Sequence, residues 1–297
     1  YITFQVTRGY PQEDFMQMTV RKNKDTFAEP VPAHWAGKDA LQSHVLNTLS
    51  LMFPGGEAFF IRSVKHFTDR VTDPKMQADI KAFIGQEVQH GRVHEYYNEK
   101  IVGSRFEIEN YLKLHRWLNY SVIEPITNWL FSPKFSLSVT AAAEHYTATW
   151  AHNALTDARV KDIKSESLRN LIYWHAIEEI EHKHVAFDVL QEIDDSYLLR
   201  VAGMLFCAVL LPFVISAAFV SLAAQALQPR SGQASNLDIF AFFRDGVAEG
   251  RNGSIFTSFV PAIIEYLKPG FHPSDHDDYA VAQKVVEGIE RRMAQVA

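Results

Sequence analysis

A single cysteine, Cys207, stands in an apolar run, so neither a disulfide nor a thiolate metal site can form within one chain. That scarcity fits a reducing compartment, and a cytoplasmic protein is expected. An excess of positive charge is also missing. A net charge of -6 over 297 residues gives no reason to expect a nucleic-acid partner. The opening Tyr1-Ile-Thr-Phe carries no signal-peptide pattern, and without a Met at position 1 a trimmed start stays open. Charge disappears altogether between Arg200 and Arg230. The core of that run, Gly203 to Ala224, is long enough to cross a bilayer, and membrane helices tolerate a kink such as Pro212 would give. Attachment to the inner membrane through 201–229 is the expectation. The alternative is a helix buried in a large bundle or in a homodimer seam.

Histidine and glutamate, by contrast, are plentiful and clustered. Trp174-His-Ala-Ile-Glu-Glu-Ile-Glu-His-Lys-His184 packs three glutamates and three histidines together. His175, Glu178, Glu179 and His182 fall on one stripe of an α-helix. Glu179-x-x-His182 is the spacing by which a helix offers a carboxylate and an imidazole to one metal ion. Glu87-x-x-His90 repeats it, with His94 one turn later.

Taken in order, residues 1–38 read as an irregular arm with prolines 11, 30 and 32. A bundle is expected over 39–198. Its first helix starts at Asp39 and is interrupted at Pro54-Gly55-Gly56, leaving Glu57 at the head of an apolar stripe. There Glu57 either faces an ion or is an exposed first-turn glutamate favoured by the helix dipole. Asp73-Pro74 opens the next helix, which runs to about Val102. Residues 104–136 read as a helix plus a long connection. A third helix carries Glu144 among small and apolar residues, where a charge needs a partner. His145 and His152 lie on another of its stripes. The fourth helix, about Leu168 to Ile193, carries the Trp174–His184 stretch, with Asp188 near its end. A C-terminal extension, 199–297, holds the apolar run, amphipathic helices around Ile239 and Ile255–Leu267, a polar loop with His272 and His276, and a charged last helix.

Two Glu-x-x-His motifs and one glutamate from each of two other helices make up the ligand recipe of ferritin-like di-iron and di-manganese proteins. The predicted fold is therefore all-α, a ferritin-like four-helix bundle with additional N- and C-terminal helices. The expected ligands are Glu57, Glu87, His90, Glu144, Glu179 and His182. Carboxylates and imidazoles without thiolates select iron or manganese. His94, Glu178, His175 and Asp188 are surplus. They either orient ligands and move protons, or extend the set towards a third ion. Spacing does not separate Glu178 from Glu179 as the ligand.

The phrases Phe-Pro-Gly-Gly-Glu57, Phe-Ile-Gly-Gln-Glu87-Val-Gln-His90-Gly-Arg-Val-His94, Ala-Ala-Ala-Glu144-His-Tyr-Thr and the stretch from Trp174 to Asp188 resemble a bacterial family catalogued as predicted metal-dependent hydrolases. The resemblance runs from about residue 40 to 280 and includes Lys-Pro-Gly-Phe-His272-Pro. It implies a metal site. The expected function is a di-iron oxidase or oxygenase that takes O2, an electron donor and a small or lipid-like substrate. A hydrolase activating water with the same ligands is the first alternative, and a metal-storage bundle the second.

Overall fold

The computed structural model describes residues 18–226 and 258–296, apart from 25, 26, 28, 33 and 37–39. All regular structure among them is helical, and the all-α bundle is as expected. The helix expected around Ile239 lies outside the described residues.

Four helices carry the motifs. α1 (Ala40–Lys65) and α2 (Pro74–Tyr97) form one hairpin. α5 (Pro133–Thr156) and α7 (Glu166–His182) form another. Between the hairpins runs an arm of α3 (Glu109–Trp117), a π-helical turn (Leu118–Ile123) and α4 (Glu124–Phe131). A short α6 (Ala158–Lys161) links α5 to α7. α8 (Val185–Ile193), α9 (Tyr197–Ala226), α10 (Phe259–Tyr266) and α11 (Asp278–Val296) follow. Asp73 caps α2 by accepting from the Lys75 and Met76 amides.

α1 departs from expectation, because it does not stop at Pro54 but runs straight through. A proline inside a helix leaves the carbonyl four residues earlier without its donor. Here that carbonyl belongs to Ser50, and Asn98 Nδ2 supplies the missing hydrogen bond at 2.8 Å. Asn98 stands in the π-helical turn that extends α2 (Asn98–Val102). Glu57 is therefore an interior residue of a long helix and buried, which removes the exposed first-turn alternative.

The fourth predicted helix also differs. It breaks after His182 into α7 and α8. Lys183 sits at the break, buried, with Nζ donating to the His276 carbonyl at 3.0 Å and to Asp278 Oδ2 at 2.9 Å. A buried ammonium needs such partners, and bending the chain lets this one reach them.

α9 lies along α5 and α1, and is neither wholly buried nor free of the bundle. At the crossing Gly203 faces Ser138 so closely that a Cβ would come within 2.6 Å of the serine backbone. The opposite face is open: Leu205, Val209 and Phe213 are exposed, and only 17% of the most apolar window is buried.

Asp278 joins α11 to the rest. It accepts from Lys183, and its Oδ1 lies 2.7 Å from His152 Nδ1 of α5. Burial would raise its pKa, but the His152 hydrogen bond and the Lys183 charge hold it at about 2. A carboxyl depressed in the folded state stabilises above its unfolded pKa and loses that stabilisation as pH falls through the folded value. Between pH 4 and 2 the native protein should lose about 2 kcal/mol that Asp278→Asn, lacking this titration, does not lose. Parallel urea titrations of the two proteins across that range check it, and equal losses would remove Asp278 as the anchor.

Candidate metal centre

Glu57 of α1, Glu87 and His90 of α2, Glu144 of α5, and Glu179 and His182 of α7 are all buried and converge on one region. His182 Nε2 lies 3.1 Å from Glu87 Oε1, 3.3 Å from Glu144 Oε2 and 3.5 Å from Glu179 Oε2. His90 Nδ1 lies 3.4 Å from Glu179 Oε1. Ligand atoms of Glu57, Glu87 and His90 form one group within 4.8 Å of one another, and those of Glu87, Glu179 and His182 form a second. Each Glu-x-x-His pair shares a face because three residues nearly complete a helical turn.

These atoms are close but not paired. Both oxygens of Glu57, Glu87 and Glu144, one of Glu179, Nδ1 of His90 and Nε2 of His182 are buried without a hydrogen bond among the described residues. An unpaired buried polar group costs about 1–3 kcal/mol, and more when charged. A set of such atoms aimed at one place is what bound cations would satisfy, and the donor types suit iron or manganese. The residues present therefore fit a metal centre.

The electrostatics agree. Burial and neighbouring Glu87 hold Glu57 well above the carboxylate range, and burial pushes Glu144 up to about 8 against the pull of His182. Burial also opposes ionisation of Glu179, but His182 and the other histidines around it keep it well below the usual value. His90, which burial alone would discharge, is carried to about 10 by Glu178 and Glu179. Burial likewise acts against a charge on His182, and Glu179 and Glu144 overcome it. Four carboxylates this close do not all ionise without added positive charge.

The outward nitrogens are held by a second group of residues. His90 Nε2 is 3.0 Å from Glu178 Oε2, and His182 Nδ1 is 3.0 Å from Gln86 Oε1. Gln86 Nε2 donates to Glu181 Oε2 at 2.8 Å. Arg21 closes the chain of contacts. Its Nη1 and Nη2 donate to the two oxygens of Glu181 at 2.9 and 2.6 Å, and its backbone N–H donates to Glu178 Oε1 at 3.0 Å. If both outward nitrogens donate, each imidazole turns a lone pair towards the carboxylates. Glu178 thus points to the outer support, and Glu179 into the cluster.

His175 and His94 form a spur. His175 Nε2 is 2.8 Å from Glu179 Oε1 and 3.9 Å from Glu57 Oε1, and its Nδ1 is 2.8 Å from His94 Nε2. His94 Nδ1 in turn meets Ser50 Oγ at 2.9 Å. Burial first, then His90, lowers the pKa of both, and His175 lowers that of His94 further. Asp188 does not join the group: it is half-exposed and pairs with His272 at 2.7 Å, so its expected part beside the ligands is corrected. His145 bonds the Ala262 carbonyl instead of facing the cluster.

Arg21 and Gln86 are the residues that sequence reasoning missed. Gln86 had a signal, being a polar residue one turn before His90 on a helix with a buried face. Arg21 had none, since nothing local ties it to Glu178 or Glu181.

An all-α bundle with a buried glutamate–histidine cluster able to hold metal defines the class. The sequence profile of a family described as "Predicted metal-dependent hydrolase" matches residues 19–277, and the chain belongs to that family. No curated protein and no solved structure matches the chain.

Replacing Arg21 by Ala should leave the helices in place but weaken metal binding about 10- to 100-fold, the usual effect of losing support behind a ligand. Competition against a chromophoric chelator measures this. Unchanged affinity would mean that the outer contacts are decoration.

Proposed function

We propose that the protein is a metalloenzyme with a dinuclear carboxylate–histidine centre of the ferritin-like kind. The observation that carries this is the convergence of unpaired buried oxygens and nitrogens from α1, α2, α5 and α7, one glutamate or one Glu-x-x-His pair per helix. Glu57 and His90 would hold one ion, and Glu144 and His182 the other. Glu87 and Glu179 would be shared, because Glu87 belongs to both ligand groups and Glu179 faces both histidines. Iron is the proposed metal, with manganese the other ion that suits this set. A third ion among Glu57, His94 and His175 is the weaker reading, since both ring nitrogens of His94 already have partners.

When bound, such a pair supplies Lewis acidity that activates water and, with a redox-active metal, electrons for dioxygen. The chain's own contribution is orientation and exclusion of water. Glu178 and Gln86 fix the two imidazoles, and Arg21 with Glu181 holds those two in register. His175, between Glu179 and His94, is placed to pass a proton between Glu179 Oε1 and the His94 side of the spur.

Hydrolysis is the reaction supported by the family's description. Oxidation by O2, with an external electron donor, is the second reading. It is favoured by the four-carboxylate ligand set, and no comparison supports it.

Metal analysis of protein purified without added metal should give about two ions per chain, and Glu87→Ala and Glu144→Ala should each lose at least one while keeping the helical circular dichroism. Near-zero metal in the unaltered protein would sink the centre. Two assays separate the reactions. Turnover of a long-chain p-nitrophenyl ester without oxygen supports hydrolysis. Rapid bleaching or growth of absorbance when the reduced iron protein meets O2, with no esterase activity, supports oxidation.

A further inference from the structure

A cavity lies beside the glutamate–histidine cluster, between α1, the α3–α4 arm, α5 and α9. Its accessible interior is about 120 Å³, several times the ~10–15 Å³ that one water needs on the same measure. Gly56 and Ala143 line its inner wall, each the residue immediately before a cluster carboxylate, Glu57 and Glu144. A Cβ on Gly56 would meet nothing nearer than Phe60 at 3.9 Å, so the missing side chain there is space given to the cavity. Leu211 and Val214 of α9 close the outer side.

The polar groups on the wall are already engaged. His115 Nε2 meets Asn119 at 3.0 Å, Thr127 donates to the Glu124 carbonyl, Ser136 donates to Asn128, and the Glu124 carboxylate takes Arg62. An occupant therefore finds apolar surface and few unpaired polar partners, which selects hydrocarbon over a polar metabolite. The π-helical turn between α3 and α4 contributes Asn119 and Ile123, and such turns occur often at functional sites.

What surrounds the mouth points to where that hydrocarbon comes from. The arm exposes Trp117, Ile126, Trp129 and Phe131, with Trp129 83% exposed. The free face of α9 exposes Leu205, Val209 and Phe213. Both elements contribute to the wall of the same cavity, and both carry exposed apolar side chains away from it. An exposed apolar surface rich in tryptophan and phenylalanine is suited to the headgroup–acyl boundary of a bilayer.

We propose that the protein lies on a membrane through the arm and the outer face of α9, and that the cavity admits a long acyl or alkyl chain of a membrane lipid to the Glu57–Glu144 side of the centre. The proposal takes its reacting centre from the function proposed above, but the binding it predicts does not depend on bound metal.

Full-length protein is mixed with phosphatidylcholine vesicles carrying a parinaroyl-chain phosphatidylcholine as the probe, and metal per chain is measured in parallel. The native protein should sediment with the vesicles and enhance the probe's fluorescence. Val214→Phe and Val139→Phe fill the cavity from opposite walls. Each should weaken probe binding about tenfold or more, while vesicle sedimentation and metal content stay unchanged. Two variants are used so that a folding defect in one leaves the other decisive. Trp129→Ser combined with Phe213→Ser should cut vesicle partition about tenfold. Native protein that ignores vesicles, a detergent-free homodimer that does so included, overturns the proposal. So does probe binding that both cavity variants leave intact. Loss of metal with lipid binding retained counts against the metal centre alone.

Discussion

Four glutamate side chains buried at the centre of a helical bundle are the constraint on which the rest of this structure depends. Without compensating charge they repel one another and resist ionisation, and the upward shifts of Glu57 and Glu144 record both effects. Two histidines among them carry part of the compensation, and one carboxylate, Glu179, draws most from it. Such an arrangement is poorly designed for stability alone, because apolar side chains of similar volume would fill the space at lower cost. Its presence in an otherwise well-packed interior is the reason to read it as a site for cations.

The surrounding architecture keeps those groups in place. Ser63 of α1 meets Thr140 of α5 at 2.7 Å across the two hairpins, and within the first hairpin Asn98 ties the end of α2 to Ser50 of α1. Small residues, Ala141 to Ala143, are buried on α5 immediately before Glu144 and allow close approach. The same bundle is lopsided outside. One flank is sealed by α11 and its Lys183–Asp278 contact, while the flank under the arm and α9 stays apolar and open. A reacting centre with one sealed and one greasy side has a direction of approach built into it.

Much of this was legible in the sequence because helices translate spacing into geometry. Glu87 with His90, and Glu179 with His182, could be placed on common faces from a separation of three. Asp73-Pro74 announced the start of α2 by the chemistry of its cap. The helix breaks were read less well, since Pro54 looked like a stop and Lys183 looked like part of a helix. In both cases the deciding partner is distant: Asn98 for the first, Asp278 and the His276 carbonyl for the second. Local pattern cannot see a hydrogen bond supplied from elsewhere in the chain. Spacing left Glu178 and Glu179 open for the same reason, because the contact that sets Glu178 apart comes from the distant Arg21.

That contact from Arg21 has a consequence for how the molecule assembles. It joins residues separated by 157 and 160 positions, across nearly the whole of the paired helices. Contacts of such separation close very long loops, which costs chain entropy. The helical hairpins can come together while the segment around Arg21 is still loose. Without the Arg21 contacts, Glu178 would keep only His90, and Glu181 only Gln86, as side-chain hydrogen-bond partners. Binding to the folded form alone draws the whole equilibrium towards that form. A cation captured at that stage would therefore serve as the clasp that selects the finished chain from its nearly finished precursors.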